Sequence, residues 1–145
     1  MDNFSKSKRS EIMSKVSGKD TKPEILVRKY LFSKGFRYRK NVSNLPGKPD
    51  IVLPKYKTVI FVHGCFWHGH KNCEAARLPE SNIEYWTKKL TSNNKRDLKN
   101  KKLLKLLGWN VIIIWECELI NKKRNKRLNI LLNKIYNNKS IVIER

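Results

Sequence analysis

Asp50-Ile51-Val52-Leu53-Pro54-Lys55-Tyr56-Lys57-Thr58-Val59-Ile60-Phe61-Val62 is two short β-branched runs around a proline turn, and it reads as a β-hairpin. Downstream, Val111-Ile112-Ile113-Ile114-Trp115 is an uninterrupted apolar run, which predicts a further strand covered on both faces. Helices flank these strands. Thr21-Lys22-Pro23-Glu24 combines a hydroxyl cap, an early proline and a glutamate three places after the cap, so a helix starts there and runs to about Lys34. Gly35 suits the left-handed position that ends it. Upstream, Ser10 can cap a short helix with Ile12 and Val16 on one face. Phe36 to Lys40 reads as extended chain and Asn44-Leu45-Pro46-Gly47 as a turn.

Ser81 or Asn82 can cap a helix carrying Ile83, Trp86 and Leu90, and a second, basic helix is expected from about Lys95 to Leu107, ended by Gly108. Leu128, Leu131, Leu132, Ile135 and Tyr136 form the apolar stripe of a helix docked on the sheet. The predicted class is α/β, a mixed sheet flanked by helices. A single domain is expected over residues 1–145, with an N-terminal arm to about residue 20 and a C-terminal tail from about 138.

Composition narrows the partners. The formal charge is +21 at pH 7, while 39% hydrophobic and 10% aromatic residues suffice for a packed core. So basic a chain gains most from a polyanion, and neutralising phosphates releases condensed counterions. No segment reaches the about 18 apolar residues of a membrane span, and the start lacks the apolar core of a signal peptide. Three cysteines make an odd count, which argues against a disulfide framework and for a reducing, cytoplasmic setting.

The chemistry concentrates between His63 and Cys73, a stretch without helical or strand period that holds all three histidines. Cys65, His70 and Cys73 are spaced Cys-x4-His-x2-Cys, and Cys117 follows the apolar strand. Three thiolates and an imidazole are a tetrahedral zinc set, with His68 an alternative to His70 as the fourth ligand. Asp50 opens a strand that can lie beside the Val62–His63 backbone. A carboxylate and a carbonyl oxygen there suit magnesium, and Glu24 can add an outer acid. The remaining histidines can move protons if a carboxylate orients them. Asp97 is one of few acids at hand, although it can also pair with Lys101 one helical turn on. Phe66 and Trp67 sit in the loop free of any stripe, as aromatics that stack on or wedge between bases do. Trp86 has the spacing of a packed helix face.

Pro49-Asp50, the string Val59-Ile60-Phe61-Val62-His63-Gly64-Cys65-Phe66-Trp67-His68, Asn94-Lys95-Arg96-Asp97, Gly108-Trp109-Asn110-Val111 and Trp115-Glu116-Cys117 together resemble the very-short-patch-repair (Vsr) DNA mismatch endonucleases. Arg9-Ser10-Glu11-Ile12-Met13-Ser14 and the Thr21–Glu24 segment fit as well, so the resemblance spans nearly the whole chain. It implies a restriction-endonuclease-like fold with a structural zinc. The implied reaction is a magnesium-dependent nick in one strand, 5′ of the thymine in a T·G mispair left by 5-methylcytosine deamination. By position, Asp50 and the Val62 carbonyl would ligate magnesium, with His63 and Glu24 supporting the surrounding water and phosphate. His68 with Asp97 would serve proton transfer. Cys65, His70, Cys73 and Cys117 would hold zinc, and Phe66, Trp67 and Trp86 would wedge into the duplex.

Val62 and His63 stand where the common nuclease pattern has an acid and a lysine. Lys71 and Asn72 also put two residues between histidine and cysteine where the best-known family members have one. The implied partner is double-stranded DNA carrying a T·G mispair, with mismatch-repair proteins as further candidates and the protein acting as a nucleoid-associated monomer. Two other readings use the same residues: a zinc-containing DNA-binding module without catalysis, and a related nuclease acting on matched DNA.

Overall fold

The structure, a computed structural model, describes residues 20–120 and 122–144; the helix expected after Ser10 lies outside them. Helix α1 spans Lys22–Ser33, with the Thr21 hydroxyl accepting the Glu24 N–H at 3.4 Å and Pro23 in the first turn. It stops as expected: Gly35 takes φ +89°, and the Phe36 N–H returns to the Leu31 carbonyl. Strands β1 (Arg39–Lys40), β2 (Ile51–Leu53) and β3 (Thr58–His63) follow. Helix α2 (Ile83–Leu106), strand β4 (Asn110–Trp115) and helix α3 (Lys123–Glu144) complete the order. Single 3-10 turns occupy Pro54–Tyr56, Glu74–Ala76 and Glu116–Leu119. Helix α3 continues through residues 138–144, the stretch set apart above as a tail.

The sheet has the order β1-β2-β3-β4, antiparallel except for the parallel β3–β4 pair. This is a mixed α/β fold, and β2–β3 is the expected hairpin. Side chains alternate across a strand, so Ile51, Leu53, Ile60, Val62, Ile112 and Ile114 share one face. There they pack with Val27 and Leu31 of α1 and Leu128, Leu131 and Ile135 of α3. Each such side chain, fully buried, contributes about 1.5–3 kcal/mol.

Two expectations are corrected. The helices expected on either side of Thr91–Asn94 are one, because the junction holds weak helix formers but no glycine or proline. Asn93, instead of competing for its own backbone, donates its amide to the Trp67 carbonyl at 2.9 Å. Asn82 precedes the helix, but its side chain makes no capping bond. Strand β4 is also not covered on both faces: Ile112 and Ile114 are buried, whereas Val111, Ile113 and Trp115 are only partly so. On that second face, the apolar cluster of Val52, Val59 and Leu104 closes only the end where α2 terminates. Beyond it, Phe61, Val111 and Ile113 line an open cleft of about 1170 Å³. Those half-exposed residues on the second face are its floor.

Candidate active site and metal centre

The cleft takes its first carboxyl from the start of β2. Asp50 leaves the sheet one residue before pairing begins, and its Oδ2 accepts the Val62 N–H at 2.7 Å. Glu24, in the first turn of α1, is almost wholly buried. Its Oε2 accepts the Asp20 N–H at 2.7 Å and lies 3.6 Å from Arg28 Nη1. The two carboxyls line the same cleft, close enough to perturb one another. Burial, reinforced by Glu24 and opposed by the Val62 N–H, pushes Asp50 up to about 7; burial also raises Glu24. Two acids forced to hold a proton between them form a site that a hard cation relieves, and their oxygens are its preferred donors.

His63 ends β3 on the open face, and the loop after it turns at once. The His68 N–H reaches back to the Gly64 carbonyl and the His70 N–H to that of Cys65. Gly69 between them has φ +58°, with the Asn94 amide 3.1 Å from where a Cβ would stand, so consecutive histidines diverge. His68 enters the cleft, its Nδ1 2.6 Å from Asp97 Oδ2 of α2. Its ring stacks on His63, centroids 3.7 Å apart and 3° from parallel. Burial, then the neighbouring His68, hold His63 down at about 4, so it is neutral at physiological pH. Its buried Nδ1 has no hydrogen-bond partner among the described residues.

His70 turns the other way and joins the cysteines. Donor atoms of Cys65, His70, Cys73 and Cys117 all lie within 4.8 Å of one another. This geometry separates the two histidines that spacing left open: His70 stands with the thiols and His68 with Asp97. Asn72, between His70 and Cys73, adopts φ +57°. Three sulfurs and one imidazole nitrogen fit a tetrahedral zinc. With no cation, burial pushes the Cys65 thiol up to about 12, so metal binding there displaces protons.

Phe66, Trp67 and Trp86 form one aromatic body, with mutual centroid distances of 5.2, 5.3 and 5.9 Å in edge-on contacts. Trp86, whose helical spacing fits a packed core face at least as well as base stacking, stands with the loop aromatics. Every site residue named from sequence thus falls into one of four neighbouring groups: the acid pair, the histidine–Asp97 set, the cysteine–His70 cluster and the aromatic body.

Others were missed. Glu116 accepts the Cys65 N–H at 3.1 Å, Tyr85 packs edge-on against Trp86 at 5.1 Å, and Asn93 anchors the Trp67 backbone. No local signal marked the last, because Asn93 falls between the two helices expected from sequence. Trp115 lies against His70 and His63, though nothing in its apolar run marks it apart.

The family model described as DNA mismatch endonuclease Vsr matches residues 1–75. The chain is 55% identical over 135 residues to the type II nicking enzyme V.NmeAIP of Neisseria meningitidis, covering 92% of this chain and 96% of the relative. It is 45% identical to the type II nicking enzyme V.XorIIP of Xanthomonas oryzae over 81% of this chain and 86% of that one. Against the DNA mismatch endonuclease Vsr of Escherichia coli, identity is 38% over 82% of this chain and 76% of the relative.

Proposed function

From the premise that this chain belongs to the Vsr family of DNA mismatch endonucleases, we propose that it nicks one strand of duplex DNA on the 5′ side of the thymine in a T·G mispair, the lesion left by 5-methylcytosine deamination, and so starts very short patch repair. The observation that carries this reading is the cleft itself, which brings the Asp50–Glu24 pair and the stacked His63–His68–Asp97 set to one floor. A non-catalytic DNA-binding module has no use for that pairing. We assign the mixed sheet with its flanking helices to the restriction-endonuclease-like class on the same family ground.

Asp50 and the Val62 carbonyl hold magnesium. A strand residue's N–H and C=O point to one side, and the Val62 N–H already faces Asp50. A magnesium ion held there would supply the charge that polarises the phosphate and lowers the pKa of water. Glu24 orients Asp50 and takes up its proton exchange. Asp97 fixes the His68 tautomer with hydrogen on Nδ1, leaving Nε2 free to accept a proton. Neutral His63 presents an unpartnered Nδ1 as a hydrogen-bonding group for phosphate or water. Of the stacked pair, His68 is the ring with a carboxylate partner.

Cys65, His70, Cys73 and Cys117 hold structural zinc, tying the loop after β3 to the end of β4. Phe66, Trp67 and Trp86 enter the duplex beside the mispair, where a weakened stack lowers the cost of opening. No helix among the described residues is long and apolar enough to cross a membrane; we place the protein on nucleoid DNA as a monomer, since only one strand is cut.

The deciding experiment compares nicking of a T·G duplex with the matched T·A duplex, each with and without magnesium. Magnesium-dependent cleavage of the T·G strand alone is expected. Equal cleavage of T·A makes the protein a matched-DNA nuclease, and no cleavage of either duplex defeats the catalytic reading.

A further inference from the structure

Among the described residues, His63 is the member of the catalytic side-chain set whose buried ring nitrogen has no hydrogen-bond partner. His68 has Asp97, and Asp50 has Glu24 and the Val62 N–H. The His63 Nδ1 has no partner among the described residues, yet the ring is buried. Its orientation therefore comes from packing. One face lies on His68, and its other ring neighbours are Trp115, edge-on at 5.1 Å and 76°, and Phe61 at 5.7 Å.

Trp115 is itself tightly placed. It stands opposite His63 in the parallel β3–β4 register, so both project onto the open face. Its backbone N–H donates to Glu118 Oε1 at 2.8 Å, and Glu118 pairs with Arg127 at 2.9 Å. His70 lies flat on the indole, centroids 4.0 Å apart and 8° from parallel, with its Nδ1 3.5 Å from Cys117 Sγ. A continuous run of rings therefore passes from the cysteine cluster through His70 and Trp115 to His63.

We propose that Trp115 is a positioning residue: its indole, clamped by the His70 ring of the metal cluster, sets the angle of the His63 imidazole in the catalytic cleft. The cluster then does more than staple a loop, because holding His70 holds the ring against which His63 is packed. Aromatic neighbours of this kind fix geometry through the shape of a flat face, so what matters is a planar ring at this place. The catalytic consequence rests on the nuclease reading above; the structural one does not.

The test replaces Trp115 by Leu, apolar but not flat, and by Phe, which keeps a ring. Three quantities are read: metal content, the imidazole Cε1–H resonance of His63 without DNA or magnesium, and single-turnover nicking with DNA affinity. His63→Gln assigns the resonance among three histidines. In Trp115→Leu, metal content and DNA affinity should be retained, the His63 resonance should move, and nicking should slow about 10–100-fold, the range of a misplaced acid–base group. Trp115→Phe should restore both within about fivefold.

An unmoved resonance and unchanged rate in a metal-loaded Trp115→Leu protein overturn the proposal, as does a Phe variant no better than Leu. If Trp115→Leu fails to fold or to hold metal, His70→Cys decides. It offers four thiolates without the flat ring, and an unmoved His63 resonance there overturns the idea equally. The unaltered chain, run beside them on a T·G duplex, separates the two readings. Failure to nick refutes the nuclease, whereas the resonance reports on Trp115 either way.

Discussion

The imidazoles of His63 and His68 lie face to face, 3.7 Å between centroids and 3° from parallel. Two rings so placed cannot both be cations at low cost. Asp97, 2.6 Å from His68 Nδ1, breaks the symmetry of the pair. His68 thereby has a carboxylate partner, while its neighbour stays neutral, held at about 4.

Replacing Asp97 by Asn should keep the shape of this contact but remove the charge that stabilises a protonated His68. Single-turnover nicking should fall on the order of 10²–10⁴-fold, with DNA affinity unchanged in a gel-shift titration. A loss below about threefold would remove Asp97 from the proton-transfer assignment.

If Asp50 holds magnesium as proposed, the cation has to displace the proton that burial and Glu24 keep on its carboxyl, which is pushed up to about 7. Below that value proton and cation compete, and above it they do not. The magnesium concentration giving half-maximal nicking should therefore rise about tenfold from pH 8 to pH 6. A flat profile would detach Asp50 from the cation.

The same shift has a stability consequence when no divalent ion is added. An acid whose folded pKa is raised favours the folded state while protonated, and this contribution falls as pH climbs from the ordinary carboxylate value to about 7. Asp50→Asn removes that penalty. Discounted for partial exposure, the gain at pH 8 is on the order of 2 kcal/mol. It should vanish near pH 4, and urea unfolding at both pH values measures the difference.

Cys117 lies in the 3-10 turn directly after β4, whereas Cys65, His70 and Cys73 all follow β3, so Cys117 joins the two segments. Cys117→Ala should abolish stoichiometric zinc and lower stability by several kcal/mol, on the order of the loss of a structural metal ligand. Metal analysis and thermal unfolding read both; full zinc content in the variant would overturn the ligand set.

Trp86 contacts Phe66 and Trp67 from a different element, closing the aromatic body. Trp86→Ala should weaken binding to a T·G duplex by about 1–3 kcal/mol, the worth of one base-stacking ring. Binding to a matched duplex should change less, and an equal loss on both would assign the ring to general affinity.

The strands, two of the helices and the family were legible along the chain, because their signals are local. A proline turn between β-branched runs, a hydroxyl cap three places before a glutamate, and the string from His63 to His68 all lie within a few residues of one another. The loop's ligand types were legible for the same reason. The single helix α2 was not: its weak formers at Thr91–Asn94 suggested a break, and the bond from Asn93 to the Trp67 carbonyl comes from elsewhere in the chain.

What the chain order by itself determined was the inventory: a mixed α/β class, a strongly basic surface, and the acids, imidazoles, thiols and aromatics from which a site can be made. Only the tertiary structure decided their partnerships. The turn at Gly69 sent His68 to Asp97 and His70 to the cysteines, the start of α1 brought Glu24 to Asp50, and α2 left half of one sheet face open as the cleft. These relationships join residues tens of positions apart. Proximity at that range is set by which faces bury together, and no local propensity encodes it.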